Sequence, residues 1–200
     1  VASLYRGVVE AQPEAFWPYL NLGEALTRQG KIAEAICCYQ TVSYQQTLGA
    51  LISKNTSKMP GPQNTVKVPN FIIIGSQRCG TTSLYTYLAQ HPQILTPIKK
   101  EMDFFSWHFD RGIDWYLAHF PPMPAGEQFL TGEASPSYFD SLEAPERLYS
   151  AFPEAKLIVL LRNPVDRAIS QFYRLTDLNW EVRSFDRAIS DEIERLNQNP

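Results

Sequence analysis

Residues 71–83 read FIIIGSQRCGTTS, and their reading decides the fold. Phe71, Ile72, Ile73 and Ile74 make a short apolar, β-rich run, the pattern of a strand buried on both faces of a parallel sheet. Gly75 and Gly80 bracket a tight turn, and Thr81, Thr82 and Ser83 open a stretch that reads as helix through Gln90. Strand, glycine-bracketed loop and helix start together form an anion cradle. Backbone N–H groups point inward, the helix dipole favours negative charge, and hydroxyls add donors. The spacing from Gly75 to Gly80 matches the first half of the nucleotide-triphosphate loop G-x-x-x-x-G-K-[ST]. The second half departs from it. Thr81 stands where the phosphate-reaching lysine belongs, and the cation sits inside the loop as Arg78, whose guanidinium can fork onto phosphate or sulfate oxygens. No apolar strand ends in an aspartate placed to hold Mg2+, so the reading is a phosphate loop that works without metal.

A second unit of the same kind follows. Lys156 to Leu161 (KLIVLL) is a strong buried-strand signal, and it ends at Arg162-Asn163-Pro164. Asn163 is suited to cap a helix and Pro164 to its first position, with the helix running to about Leu175. Asn163, Arg167 and Ser170 fall on one face of that helix, beside Arg162 at the strand tip. Two strand–turn–helix units, each with an arginine and hydroxyls, imply two anion sites at the carboxyl edge of one parallel sheet, where open α/β sheets bind ligands. A nucleotide carrying groups at both its 5′ and 3′ positions would engage both turns, and 3′-phosphoadenosine 5′-phosphosulfate (PAPS) has that shape.

Between the two units, Lys99-Lys100-Glu101-Met102-Asp103-Phe104-Phe105 sets charges against an aromatic pair, which suits a cleft edge or a surface turn with solvated charges. Trp107, His108, Trp115, Tyr116 and Phe120 are assigned to a core helix, with an acceptor-binding wall as the alternative. His91 before Pro92 reads as a helix end. Phe129 to Ser135 reads as a short strand running into a loop, and Glu143 to Phe152 as a helix with Leu148 and Phe152 inward.

Upstream, Phe16 to Tyr44 has helical periodicity. Tyr19, Leu22, Gly23 and Leu26 share a face of one helix, Gly30 breaks it, and Ile32, Ala35, Ile36 and Tyr39 carry another. Leu22-Gly23, Gly30, Glu34-Ala35-Ile36 and Tyr39 resemble a tetratricopeptide repeat, with Tyr19 in place of its usual Trp and Thr47 in place of its closing Pro. A preceding half repeat covers Ser3 to Ala11. About one and a half repeats are too few for a solenoid face of their own. These helices read as a brace on the next domain, or as a groove for a protein partner. Residues 1–50 are assigned to this segment, 51–67 to a Pro- and Gly-containing linker, and 68–200 to the α/β domain.

The net charge of −3 argues against a general nucleic-acid or membrane-surface binder, and no apolar run approaches the roughly 20 residues of a membrane span. The start, VASLYRGVVE, lacks a signal peptide and lacks Met, so the numbering is expected to begin inside a longer chain. Three cysteines, two of them adjacent, form neither a disulfide framework nor a zinc spacing. Cys37 and Cys38 read as apolar helix residues and Cys79 as a loop spacer. A reducing, cytoplasmic location is the expectation.

The segments FIIIGSQRCGTTSLYTYLAQHPQI, KKEMDFFSWHFDRGIDWYLAHFP, GEASPSYFDSLEAPERLYSAFP and KLIVLLRNPVDRAISQFYR, in this order, resemble the PAPS-dependent sulfotransferases, specifically their heparan-type and bacterial carbohydrate members, over roughly Val68 to Asp186. The resemblance implies an α/β, P-loop-like three-layer sandwich with a central parallel sheet, preceded here by the small all-α helical segment. It implies PAPS as co-substrate, no metal, and sulfuryl transfer to a hydroxyl or amine acceptor of carbohydrate type, with protein, lipid or small-molecule hydroxyls open. Arg78, Cys79, Gly80, Thr81, Thr82 and Ser83 would hold the 5′-phosphosulfate, and Arg162 and Ser170 the 3′-phosphate. Glu101 would act as general base with Lys100 beside it and Arg78 neutralising the developing charge. His108 and Glu133 are the substitute bases. Ala134 replaces a lysine common in heparan-type members, so heparan itself is not implied. The family domain continues with a loop over the adenosine, so its C-terminal part is expected to lie beyond Pro200. Two alternatives from other classes stay open: a phosphate-loop kinase or triphosphatase, which the absent lysine disfavours, and a repeat-based scaffold with a degenerate nucleotide fold.

Overall fold

The computed structural model describes residues 1–54, 69–124 and 129–198. Three parallel strands, β1 (Phe71–Gly75), β2 (Gly132–Ala134) and β3 (Lys156–Val159), form a sheet in the order β2-β1-β3. The strand expected centrally is therefore central, and parallel pairing explains its unbroken apolar run. The pleat sends alternate residues to opposite faces. Ile72 packs into a core with Met102, Phe104, Phe105, Trp115 and Tyr116, while Phe71 and Ile73 meet Ile94 and the inner face of helix α4 (Thr81–Ala89) through Leu84 and Leu88. The result is a three-layer α/β arrangement with helices on both faces.

β3 departs from the expectation. Its apolar run predicts a buried strand, but Leu157 is 54% and Val159 is 42% exposed. Its place in the sheet explains this: β3 is an edge strand among the described residues, and only Ile158 of the strand packs against the core beneath α4. A run of apolar β-formers does not distinguish an edge from a centre.

Three helices precede the sheet: α1 (Ala2–Ala11), α2 (Phe16–Arg28) and α3 (Ile32–Ser53). Leu22, Gly23, Leu26, Ala35 and Tyr39 are buried between them and the α/β body. A Cβ on Gly23 would stand 2.6 Å from the Tyr39 ring, so the α2–α3 crossing requires glycine there. α3 continues to Ser53, beyond the expected boundary at residue 50 and through the first three residues assigned to the linker. Most of that linker, with the domain start near residues 66–68, lies outside the described residues.

The helices pack on the body as a brace would. Tyr39 stacks on His119 at 4.1 Å and meets Trp115 edge-on at 6.0 Å. Trp115 Nε1 donates to Thr27 Oγ1 at 3.1 Å, Ser43 Oγ to the Phe120 carbonyl at 2.5 Å, and Lys99 pairs with Glu24 at 2.5 Å. Trp115 lies on α6 (Ile113–Leu117). Trp115, Tyr116 and Phe120 are core residues as expected, but Trp107, which ends the short α5 (Phe104–Trp107), is 64% exposed. The expected single core helix is two short helices with a turn between them. Helix α7 (Ala144–Ala151) buries Leu148 and delivers Phe152 to the core; α8 (Pro164–Asp177) and α9 (Phe185–Gln198) complete the described chain. No described helix is long and apolar enough to cross a membrane.

Candidate active site

The loop after β1 turns into α4 at Gly80, whose φ of 90° lies in the left-handed region that only glycine adopts without cost. The first intrahelical bond is Leu84 N–H to the Gly80 carbonyl, so the amides of Thr81, Thr82 and Ser83 have no partner in the helix and are available to an anion. α8 starts as its sequence dictates. Asn163 Oδ1 accepts from the amides of Val165 at 3.0 Å and Asp166 at 3.4 Å, and Pro164 follows.

Parallel pairing of β1 with β3 brings the two turns together. Arg78 Nε donates to Ser170 Oγ at 3.1 Å, and Arg162 Nη1 reaches the Arg78 carbonyl at 3.5 Å. Both turns open onto one cavity of about 730 Å³, lined by Arg78, Gly80, Thr81, Thr82, Glu101, Arg162 and Ser170 among the expected residues. Lys100 does not line the cavity itself but ties two of its residues together: Nζ donates to Thr82 Oγ1 and to Glu101 Oε1, each at 2.6 Å. Cys79 and Ser83 do not line the cavity. The Cys79 thiol turns back toward the Gln77 carbonyl, 3.5 Å away, and Ser83 lies on the exposed side of α4. Asn163 and Arg167 are likewise outside it; the part of α8 that faces in carries Ser170, Gln171 and Arg174.

Glu101 is held in place by its backbone, with its N–H on the Ala134 carbonyl at 3.1 Å, and its side chain stays 52% exposed. Arg78, Glu101 and Asp103 have φ of 65°, 55° and 51°. Three non-glycine residues in the left-handed region around one cavity are the kind of local strain that collects at functional sites.

Glu133 and His108 are placed differently. Glu133 is fully buried and accepts from Tyr138 Oη at 2.7 Å, Tyr116 Oη at 2.9 Å and Ser135 Oγ at 2.7 Å. Burial pushes its carboxyl up to about 7, against the pull of those hydroxyls. It lines no part of the cavity, so it organises the core beneath the site and is out of an acceptor's reach. His108, lowered by partial burial and by Arg111, also stands outside the cavity and packs edge-on against Trp115.

Among the cavity residues that sequence reasoning left out of the site are Asp103, Trp107, Ser137, Arg174, Asp177 and Trp180. Arg174 was accessible, since it follows Ser170 by one helical turn. Asp103 carries a signal in its place beside Glu101 and Phe104. Trp107 carried none that separates it from buried Trp115.

Residues 68–195 match the sulfotransferase domain family, well over half the chain, and the protein belongs to that family. It is 40% identical over 130 residues to the membrane-associated sulfotransferase kil1 of Dictyostelium discoideum, covering 64% of this chain and 27% of that protein. It is 45% identical over 113 residues to the bifunctional heparan sulfate N-deacetylase/N-sulfotransferase 3 of Homo sapiens, covering 53% of this chain and 13% of that one. The crystal structure of a sulfotransferase from Alicyclobacillus acidocaldarius superposes with a TM-score of 0.56 at 38% identity, over 66% of this chain and 60% of that one. The chain thus spans about a quarter or less of these two curated relatives. The match stands against the kinase reading, whose lysine position is occupied by Thr81.

Proposed function

We propose that this domain transfers a sulfuryl group from PAPS to a hydroxyl or amine of a carbohydrate acceptor, with Glu101 as general base. The observation that carries the reading is the convergence of Arg78, Arg162 and Ser170 with Glu101 on one cavity. The cradle suits the donor's chemistry. Free amides and hydroxyls at the start of α4 take the 5′-phosphosulfate, while Arg162 and Ser170 take the 3′-phosphate.

In the transfer, the acceptor oxygen or nitrogen attacks sulfur as the bond from sulfur to the bridging phosphate oxygen breaks. The acceptor proton passes to Glu101, and adenosine 3′,5′-bisphosphate leaves with the bridging oxygen. Charge on the peripheral sulfuryl oxygens and on the leaving oxygen is met by Arg78, by the α4 amides and by Lys100, whose ammonium links the cradle to the base. The preorganisation matters because these donors need not reorient as charge develops.

Calorimetric titration with adenosine 3′,5′-bisphosphate tests the donor site. Saturable binding that weakens at least tenfold in both Arg78→Ala and Arg162→Ala is the expected result. Absence of binding, or binding indifferent to both changes, removes the reading.

A further inference from the structure

The wall of the cavity around Glu101 has a composition that the donor's anionic groups do not explain. Trp107 lines it at 64% exposure, while its neighbours on α5, Phe104 and Phe105, are fully buried. The indole is set by the structure beneath it: the Trp107 N–H bonds the Asp103 carbonyl at 2.9 Å, and the two phenylalanines anchor the helix. A rigid helix thus presents a large amphipathic ring to the cleft with no aromatic partner among the described residues. Asp103 stands one turn away in the same wall. Its Oδ1 accepts from Ser137 Oγ at 2.5 Å, and its N–H is held by Ser135 Oγ at 3.1 Å.

Charge decides what such a wall accepts. The described cavity residues include three arginines (Arg78, Arg162, Arg174) and three carboxylates (Glu101, Asp103, Asp177), and the Lys100 ammonium on Glu101 adds one further positive charge beside them. The donor's 3′-phosphate alone brings about −1.5 to −2 at pH 7, and its phosphosulfate adds more. With donor bound, the cavity is negative. A polyanionic glycan would then meet Asp103, and Glu101 with Lys100 already paired to it, in a cavity the donor has made negative, and like-charge juxtaposition is a strong rejection.

Resting on the sulfotransferase reading, we propose that Trp107 and Asp103 form the acceptor subsite and select an uncharged or amine-bearing sugar over a polyanionic one. The apolar C–H face of the pyranose packs on the Trp107 indole. A ring hydroxyl or ammonium donates to Asp103. The neighbouring nucleophile is thereby turned toward Glu101.

The test uses the full chain with PAPS and three acceptor probes: chitotetraose (neutral), its fully de-N-acetylated form (amine-bearing) and a heparosan tetrasaccharide (anionic). Sulfate incorporation gives kcat and KM, and calorimetry gives the bisphosphate Kd. The expected result is a kcat/KM at least tenfold higher for a neutral or amine-bearing probe than for heparosan. Trp107→Ala raises the KM for that probe about tenfold and leaves the bisphosphate Kd unchanged. Asp103→Asn, which tolerates the same left-handed backbone, narrows the discrimination against heparosan. A wild-type preference for heparosan, an unchanged KM in Trp107→Ala, or transfer to none of the probes by protein that binds the bisphosphate overturns the proposal and leaves the donor site standing. Failure to bind the bisphosphate overturns the donor reading beneath it.

Discussion

Arg78 Nε and Ser170 Oγ lie 3.1 Å apart although 92 residues separate them in the chain. The contact joins the loop after β1 to the inner side of α8, the two places where an anion would be gripped. It exists because β1 and β3 are adjacent and parallel, so both turns emerge at one sheet edge. Arg78 and Ser170 therefore act on the donor together. Ser170→Ala should weaken bisphosphate binding about 10- to 100-fold, the worth of a hydrogen bond to a charged group. Arg78→Lys should keep most of the transfer rate, because a cation remains, whereas Arg78→Ala should lower kcat by about 10²–10³. Calorimetry and radiolabelled sulfate transfer measure the two effects; equal rates for the Lys and Ala variants would refute the charge role.

Glu101 contacts the cradle only through Lys100, so its removal should spare donor binding. Glu101→Gln is expected to lower kcat by about 10²–10⁴, the range for loss of a general base, with the bisphosphate Kd changed less than threefold. A variant that retains wild-type turnover would move the base elsewhere.

The buried carboxyl of Glu133 should leave a mark on stability. Its ordinary value of 4.5 is pushed up to about 7 by burial. The folded protein holds this proton more tightly than the unfolded chain, so the contribution is fully present below about pH 4.5 and is lost as pH rises through 7. The loss should be on the order of 1–3 kcal/mol. Urea denaturation of wild type and Glu133→Gln between pH 5 and 8 isolates it: wild type should lose stability relative to the variant as pH rises. His119 acts in the opposite direction. Burial lowers it to about 4, so it costs stability as pH falls from about 6.5, and it does so equally in both proteins. Parallel pH profiles for the two proteins would show that Glu133 titrates normally.

Tyr39 tests whether the N-terminal helices belong to the folding unit. It is fully buried, bonds Thr27 Oγ1 at 3.0 Å, and packs on His119 and Trp115. Tyr39→Ala should destabilise the whole protein by about 3–5 kcal/mol and shift one melting transition. Two transitions, with only the first moved, would mean that the helices fold apart from the α/β body.

The helices α2 and α3 were legible because Leu22, Leu26, Ala35 and Tyr39 recur at helical spacing. What they pack against was not, since an apolar face has no address: Tyr39 meets His119, 80 residues on. The glycine-bracketed loop after β1 and the Asn163 cap were legible for the opposite reason, as they depend on a few adjacent residues. Trp107 and Trp115 carry the same side chain eight positions apart, yet one is exposed at the cleft and the other fully buried. Glu133, in a short strand, stood in the sequence as a substitute base, and only the approach of Tyr116 and Tyr138 makes it a core carboxyl.

The amino-acid sequence alone determined the two strand–turn–helix units, the family they resemble and the nature of their arginines and hydroxyls, because backbone propensity, capping and glycine geometry act over a handful of neighbouring residues. The tertiary structure decided that Arg78 and Ser170 touch, that β3 is an edge strand, and which carboxylates and tryptophans face the cavity. Those facts follow from pairing and packing between segments far apart in the chain, where many partners are chemically equivalent and only the assembled core selects among them.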